Sequence, residues 1–182
     1  AFLAFTRKAA NEAKERAAKR FNLDPKKDLF HFRTLHSLAL TCSDIRTEQV
    51  MQDENYRELS KNMGVELNVQ RLNNFDQDIP DMTKTSDPIL GLINLARMRK
   101  VPLRQQYNET PIVNEWNIVT YVDKCLKQYK ENLEMYDFTD MLESFPKEGH
   151  TICPHFDLCF LDEAQDLSPL QWDIAHILDE RS

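Results

Sequence analysis

Apolar residues gather at 156–161, Phe-Asp-Leu-Cys-Phe-Leu, with one acid, Asp157, inside the run. A run of this kind predicts a buried strand of a parallel sheet. It ends in a tight polar cluster of Asp162, Glu163, Gln165 and Asp166. Ser168-Pro169-Leu170-Gln171 then predicts a helix start, with Ser168 as N-cap, Pro169 at the first helical position and Gln171 closing a capping box. The carboxylates therefore fall in the turn between a buried strand and a capped helix.

The same order of elements recurs at the other end of the chain. Residues 2–5 predict an apolar strand, and Thr6 caps a helix that runs to Phe21. Ala9, Ala13 and Ala17 share one face of that helix, where small side chains allow close approach to a sheet. Arg7, Lys8, Lys14, Arg16, Lys19 and Arg20 point to solvent against only Glu12 and Glu15. A solvated helix face is the ordinary reading of such a charge run, and a phosphate-binding face is the alternative. After a polar link at 22–28, residues 29–33 alternate like a short strand and residues 34–40 turn helical.

From about residue 43 to 135 no strand pattern appears. Helices are expected at 48–63, 88–100 and 111–133. Gly64 stops the first, and Asp87-Pro88 and Thr110-Pro111 start the other two. Residues 73–87 read as a polar loop. Trp116, Val119, Val122 and Leu126 form a core stripe on the third helix. Tyr136 to Leu142 predicts an amphipathic helix burying Phe138, Met141 and Leu142, and 143–155 is a connector.

Composition narrows this picture. The chain has 182 residues with 29% charged and 41% hydrophobic side chains, the balance of a soluble globular protein. Only three glycines argue against an all-β design. The net charge of -7 makes the local basic cluster more informative than the total. No apolar run approaches membrane-spanning length and no signal peptide is evident, so no membrane partner is expected. Cys42, Cys125, Cys153 and Cys159 lack the paired spacing of a disulfide framework, which fits a reducing intracellular setting. His150, Cys153, His155 and Cys159 invite a zinc reading. A strand advances about 3.3 Å per residue, which carries Cys159 too far from His155 to share one metal unless the strand starts late. The chain opens on an apolar strand with no Met, as the middle of a longer protein would.

Carboxylates at the end of a parallel strand have a chemistry. Ligands of open α/β sheets bind at the carboxyl ends of the strands. In nucleotide hydrolases an Asp there holds Mg²⁺, usually through water, and an adjacent Glu can polarise the attacking water. An exposed acidic turn with no ligand is the plain alternative.

Four segments then carry a resemblance. Leu161 to Gln171, LDEAQDLSPLQ, resembles motif II of the UvrD/Rep family of superfamily 1 DNA helicases. AFTRKAANEAKERA, at 4–17, resembles motif Ia. RTLHSLAL, at 33–40, resembles motif Ib, with Leu35 in the position usually held by an aromatic, so no aromatic contact carries over there. YDFTDML, at 136–142, resembles the family's YDFxDLL segment. On local evidence alone, His36 reads as a helix-start histidine bonded to nearby backbone.

The resemblance implies an α/β fold: a partial RecA-like P-loop NTPase parallel sheet, helix-rich, with a large helical insertion. Residues 1–42 and 136–182 would form the core and 43–135 the inserted subdomain. It implies ATP and Mg²⁺ as cofactors and single-stranded DNA as partner. Asp162 would hold Mg²⁺ through water, Glu163 would activate water, and Gln165 would sense the nucleotide or its γ-phosphate. Phe5, Thr6, Arg7, Lys8, Thr34 and His36 would lie at the DNA. The location expected is cytoplasmic or nucleoid-associated. Gly64, Gly91 and Gly149 are followed by Val, Leu and His, so no Gly-Lys-Ser/Thr phosphate loop is present. The family carries that loop just upstream of motif Ia. An isolated chain of these residues is therefore expected to be inactive, and to self-associate through an exposed sheet edge. Two rival readings are a non-catalytic nucleic-acid-binding module and a protein-interaction domain.

Overall fold

The computed structural model describes residues 1–68 and 87–181. The polar loop expected at 73–87 lies, but for Asp87, outside the described residues. By internal packing the chain divides into two units: Ala1–Asp44 with the residues from Met141 onward, and the described residues from Ile45 to Asp140.

The first unit is built on a parallel sheet of three short strands. β1 is Phe2–Ala4, β2 is Phe32–Thr34 and β3 is Phe160–Leu161, in the order β2-β1-β3. Leu3 and Ala4 of β1 are 1% and 2% exposed, so the apolar N-terminal stretch is the centre of the sheet. Helix α1, Arg7–Phe21, carries the chain from β1 to β2. Thr6 caps it by accepting from the Ala9 amide at 3.0 Å, and Asn22 ends it in a left-handed conformation. Ala10 is the fully buried alanine, while Ala9, Ala13 and Ala17 are half-buried; the inner face is turned from the one expected.

Two strands differ from expectation. Leu29 to Phe32 is a turn, closed by the Phe32 amide on the Leu29 carbonyl, so β2 starts at Phe32. The run 156–161 is not a buried strand along its length. Phe156 is buried against the His31 ring, Leu158 and Phe160 are 59% and 55% exposed, and only Phe160–Leu161 pairs as strand. β3 lies at the edge of the sheet, which leaves one side of it without a strand neighbour among the described residues. α2, Leu35–Thr41, follows β2, and α9, Pro169–Glu180, follows the acidic turn. The expected connector at 143–155 is partly helical: a π turn at Phe145–Gly149, with Phe145 fully buried, runs into a short turn α8 at His150–Ile152.

The second unit is helical. It holds α3 (Asp53–Met63), α4 (Pro88–Met98), α5 (Leu103–Glu109) and α6 (Trp116–Leu133), and the first residues of α7 (Phe138–Ser144). α3 starts five residues later than expected. Val50 bridges Tyr136, and the Met51 amide donates to the Tyr136 carbonyl at 2.8 Å, so these residues pair instead of coiling. Gly64 ends α3 at φ 67°, a conformation that suits glycine. Asp87 caps α4, accepting from the Ile89 and Leu90 amides. Thr110-Pro111 does not start a helix. The Thr110 hydroxyl instead accepts from the Gln106 side chain at 2.8 Å, Thr110 ends α5, and α6 begins at Trp116. The stripe on α6 is as read: Val119, Val122 and Leu126 are buried in the core with Leu59, Ile89 and Ile93, and Trp116 packs at its margin.

Asp137 and Asp140 are joined to Arg97 and Lys130 in a cluster that periodicity does not announce. Asp137 is 2% exposed, with Arg97 at 2.8 Å and Lys130 at 2.7 Å. Lys130 also reaches Asp140 at 2.7 Å. The two acids cap α7 reciprocally, each accepting from the other's amide. Tyr136 to Asp140 therefore packs with the helical unit, and Met141 and Leu142 with the sheet unit. Among the described residues no helix is long and apolar enough to cross a membrane.

Candidate functional site

All three strands are parallel, so their carboxyl ends lie on one edge of the sheet. Ala4 pairs with Thr34 and Leu3 with Leu161, so three chain segments leave that edge at nearly the same level. They are Phe5 to Lys8 after β1, Thr34 to Ser37 after β2, and Asp162 to Asp166 after β3. Residues 5, 34 and 162, far apart in sequence, are brought to one edge by the topology.

Asp162 is held by backbone. Its amide donates to the Leu3 carbonyl at 2.9 Å, continuing the β1–β3 ladder by one residue. Glu163 then turns sharply, at φ 51° and ψ 40°. This is the left-handed region, which a side chain with a β-carbon adopts at a cost. Ala164–Asp166 forms a 3₁₀ turn, and Leu167 is buried beneath it. The Gln165 side-chain amide donates to the Glu163 carboxylate and orients it. Ser168 accepts from the Gln171 amide at 3.3 Å, and the Gln171 side chain accepts from the Ser168 amide at 2.9 Å; the capping box is formed as read. Glu163 and Gln165 are exposed and Asp162 is half-exposed, so these polar groups face solvent at the edge.

The donor set suits a hard divalent cation. Mg²⁺ takes one or two carboxylates, keeps several waters and completes its shell with substrate phosphates. Asp162 and Glu163 supply carboxylate oxygens of this kind. Among the described residues no group of three or more His, Cys, Asp or Glu could hold a metal by itself, and a shared, water-rich Mg²⁺ site does not require one.

The β1–α1 turn places Phe5, Thr6 and Arg7 half-buried and Lys8 exposed. The Thr6 hydroxyl is committed to the helix cap. Thr34 and His36 differ from the expectation of two surface contacts. Thr34 is 4% exposed and spends its hydroxyl accepting from the Ser37 amide at 3.1 Å. His36 is 6% exposed, and burial pushes its pKa down to about 4, so the ring is neutral near pH 7. The sequence places both at a helix start but does not show that α2 turns them inward. The left-handed backbone of Glu163 also escaped the sequence reading, because nothing in Asp-Glu-Ala-Gln specifies it.

No curated protein matched the chain, and no solved structure did. A family model for the UvrD/REP helicase N-terminal domain matches residues 1–182, the whole chain and thus both units. The Asp162–Glu163 turn between β3 and α9, the basic β1–α1 turn beside it and the helical unit inserted between β2 and β3 all lie within that match. The chain belongs to the UvrD/REP helicase N-terminal domain family.

Proposed function

We propose that this chain contributes part of the ATP site and part of the single-stranded-DNA track of an ATP-driven DNA translocase. The observation that carries this reading is the shared carboxyl edge: Asp162 and Glu163 leave it beside the turn that presents Phe5, Arg7 and Lys8. In this reading Mg²⁺, when bound with ATP, neutralises developing charge on the phosphates. Asp162 holds that ion through water. Glu163 accepts a proton from the attacking water, with Gln165 fixing its carboxylate and responding to the nucleotide. Phe5 stacks on a base, and Arg7 and Lys8 meet phosphates. Thr6, Thr34 and His36 shape the edge from within the helix starts. The phosphate-cradling loop is not among these 182 residues, so the isolated chain binds DNA weakly and does not turn over ATP.

Binding of a labelled oligothymidine, followed by anisotropy at rising salt, tests the DNA half of this proposal. Affinity should fall with salt, and Arg7→Ala with Lys8→Ala should reduce it more than Lys124→Ala with Lys127→Ala on α6. Equal losses from both pairs mean diffuse electrostatics. Absence of salt-dependent binding favours a protein-interaction domain.

A further inference from the structure

Phe30 is a large apolar side chain that folding leaves in water. It stands 52% exposed in the connection between α1 and β2. Its surroundings hold it in place. Leu29, beside it, is buried, and the Phe32 amide closes the turn on the Leu29 carbonyl at 3.2 Å. The Arg33 guanidinium lies over the Phe30 ring, with Cζ 4.6 Å from the centroid. Arg33 is itself fixed: its Nη1 donates to the Thr41 hydroxyl at 2.7 Å, and that hydroxyl donates to the Ser37 carbonyl at 2.8 Å. The His31 ring meets Phe30 edge-on at 5.1 Å and is wedged in turn against buried Phe156 at 4.9 Å. A cation covers one face of Phe30 and an imidazole one edge, so the other face is the open one.

The polar link before Phe30 has its charges sorted. Asp24 accepts from the Lys26 and Lys27 amides at 2.8 and 3.3 Å, and Asp28 accepts from the Asp24 amide at 2.7 Å. Both acids are turned onto the backbone of their own turn. Lys26 and Lys27 are exposed and form no ion pair among the described residues. The same holds for Lys19 and Arg20 in the last turn of α1, where Phe21 stands 65% exposed. Residues 19–33 carry five cations against two acids, in a chain of net charge -7. This surface lies at the amino ends of the strands. Phe30 and His31 precede β2, and the His31 carbonyl accepts from the Phe2 amide at 3.0 Å. The turns at 5–8 and 162–166 leave the opposite edge, and α1, 15 residues or about 22 Å long, separates Arg7 from Phe21.

We propose that the α1–β2 connection is a second binding surface for single-stranded nucleic acid, with a base stacked on the open face of Phe30 and the flanking phosphates on Lys26 and Lys27. Stacking on an aromatic ring tolerates any base, and an arginine against the ring adds a cation–π contribution. Phosphates that meet the lysines release counterions, so the contact weakens with salt. A protein hot spot would set such a ring in a well-packed, desolvated pocket. Here the exposed side chains along the link are mostly charged or polar, and its acids face inward, which favours a polyanion. The surface shares no residue with the track proposed at the carboxyl edge and stands independently of it.

The test is photo-cross-linking of the full chain to an oligothymidine carrying iodouracil, a base that couples to aromatic rings stacked on it, followed by tryptic mapping. Cleavage after Lys27 and Arg33 isolates Asp28 to Arg33, and cleavage after Arg7 isolates Ala1 to Arg7, so the two surfaces report separately. A cross-link at Phe30 that fades with rising salt is expected. It is read on the unaltered chain and needs no variant to fold. It should persist in Arg7→Ala with Lys8→Ala. It should fall at least several-fold in Phe30→Leu and in Lys26→Gln with Lys27→Gln, while their unfolding midpoints in urea match the parent's. Cross-links confined to the Ala1–Arg7 peptide overturn the proposal and leave the carboxyl-edge track standing. No cross-link in either peptide overturns both. An acidic Glu/Phe peptide that binds the chain and is lost in Phe30→Leu, with no nucleotide cross-link at Phe30, makes the partner a protein segment and overturns the proposal as well.

Discussion

The Asp162 amide donates to the Leu3 carbonyl at 2.9 Å. This one bond sets the acidic turn against the centre of the sheet. It continues the parallel ladder past the last residue of β3, so the chain can reverse only after Asp162. Glu163 takes that reversal. Its carboxylate is presented at the edge by backbone geometry, and Gln165 adds the final orientation.

That reversal has a cost that substitution can recover. Asn22, Lys100 and Glu134 also have positive φ, but they lie at helix ends, where the left-handed turn satisfies carbonyls. Glu163 follows a strand and has no such return. Glu163→Gly should raise stability by about 0.5–1 kcal/mol, net of the extra freedom glycine gives the unfolded chain. Urea unfolding measures this. A clear loss of stability would mean that the Glu163–Gln165 contact outweighs the strain.

In the helical unit, Arg97→Met should cost about 3 kcal/mol, because it strips a cation from one buried and one half-buried acid. The pH dependence follows from their shifts. Burial pushes Asp137 up, but Arg97 and Lys130 outweigh it and hold its carboxyl below 3.8. A carboxyl depressed by folding adds stability that is present above its unfolded pKa and lost as pH falls through the folded value. Asp140 runs the other way: burial and the Asp137 charge raise it, so its ionisation opposes folding and falling pH relieves that. Without Arg97 both carboxyls rise. The cost of Arg97→Met should therefore be largest near about pH 7 and shrink toward about pH 5. A cost that does not change with pH would show that the side chain acts through packing alone.

The outer side of β3 should make the chain self-associate. Phe160 on the edge strand β3 and Leu158 just before it are exposed, and open apolar edges recruit other chains. Light scattering should show a concentration-dependent rise in mass that Phe160→Lys suppresses. A strictly monomeric chain, with slow hydrogen exchange at Phe160 and Leu161, would mean that the edge is closed by other means.

Local signals were the legible part of this fold. Thr6, Asp87 and the Ser168–Gln171 box mark helix starts through bonds that span two or three residues, and Gly64 marks a helix end through its left-handed backbone; each does so in the structure. Contacts between distant residues were not legible. Nothing near Arg97 or Lys130 announces the acid pair they meet, although Asp-x-x-Asp at a helix start is a readable cap. The apolar character of 156–161 predicts more buried strand than forms, because Leu158 and Phe160 face out. α5 was missed because Thr110-Pro111 has the form of a helix start, and its hydroxyl is spent on Gln106. At the site, the order of residues 162–165 could be read, but the inward turn of Thr34 and His36 depends on how α2 packs.

The most direct measurement is ATP turnover with Glu163 as the variable. It is made in a polypeptide that carries a Gly-Lys-Ser/Thr phosphate loop ahead of β1 and the rest of the motor after α9, alongside the 182-residue chain alone. The longer form should hydrolyse ATP faster with single-stranded DNA present. Glu163→Gln should lower turnover by about 10²–10⁴-fold and leave nucleotide binding largely intact, since the amide keeps the size and removes the base. The chain alone should show no turnover. Near wild-type hydrolysis by Glu163→Gln in the longer form, or turnover by the chain alone that Glu163→Gln abolishes, would contradict the account.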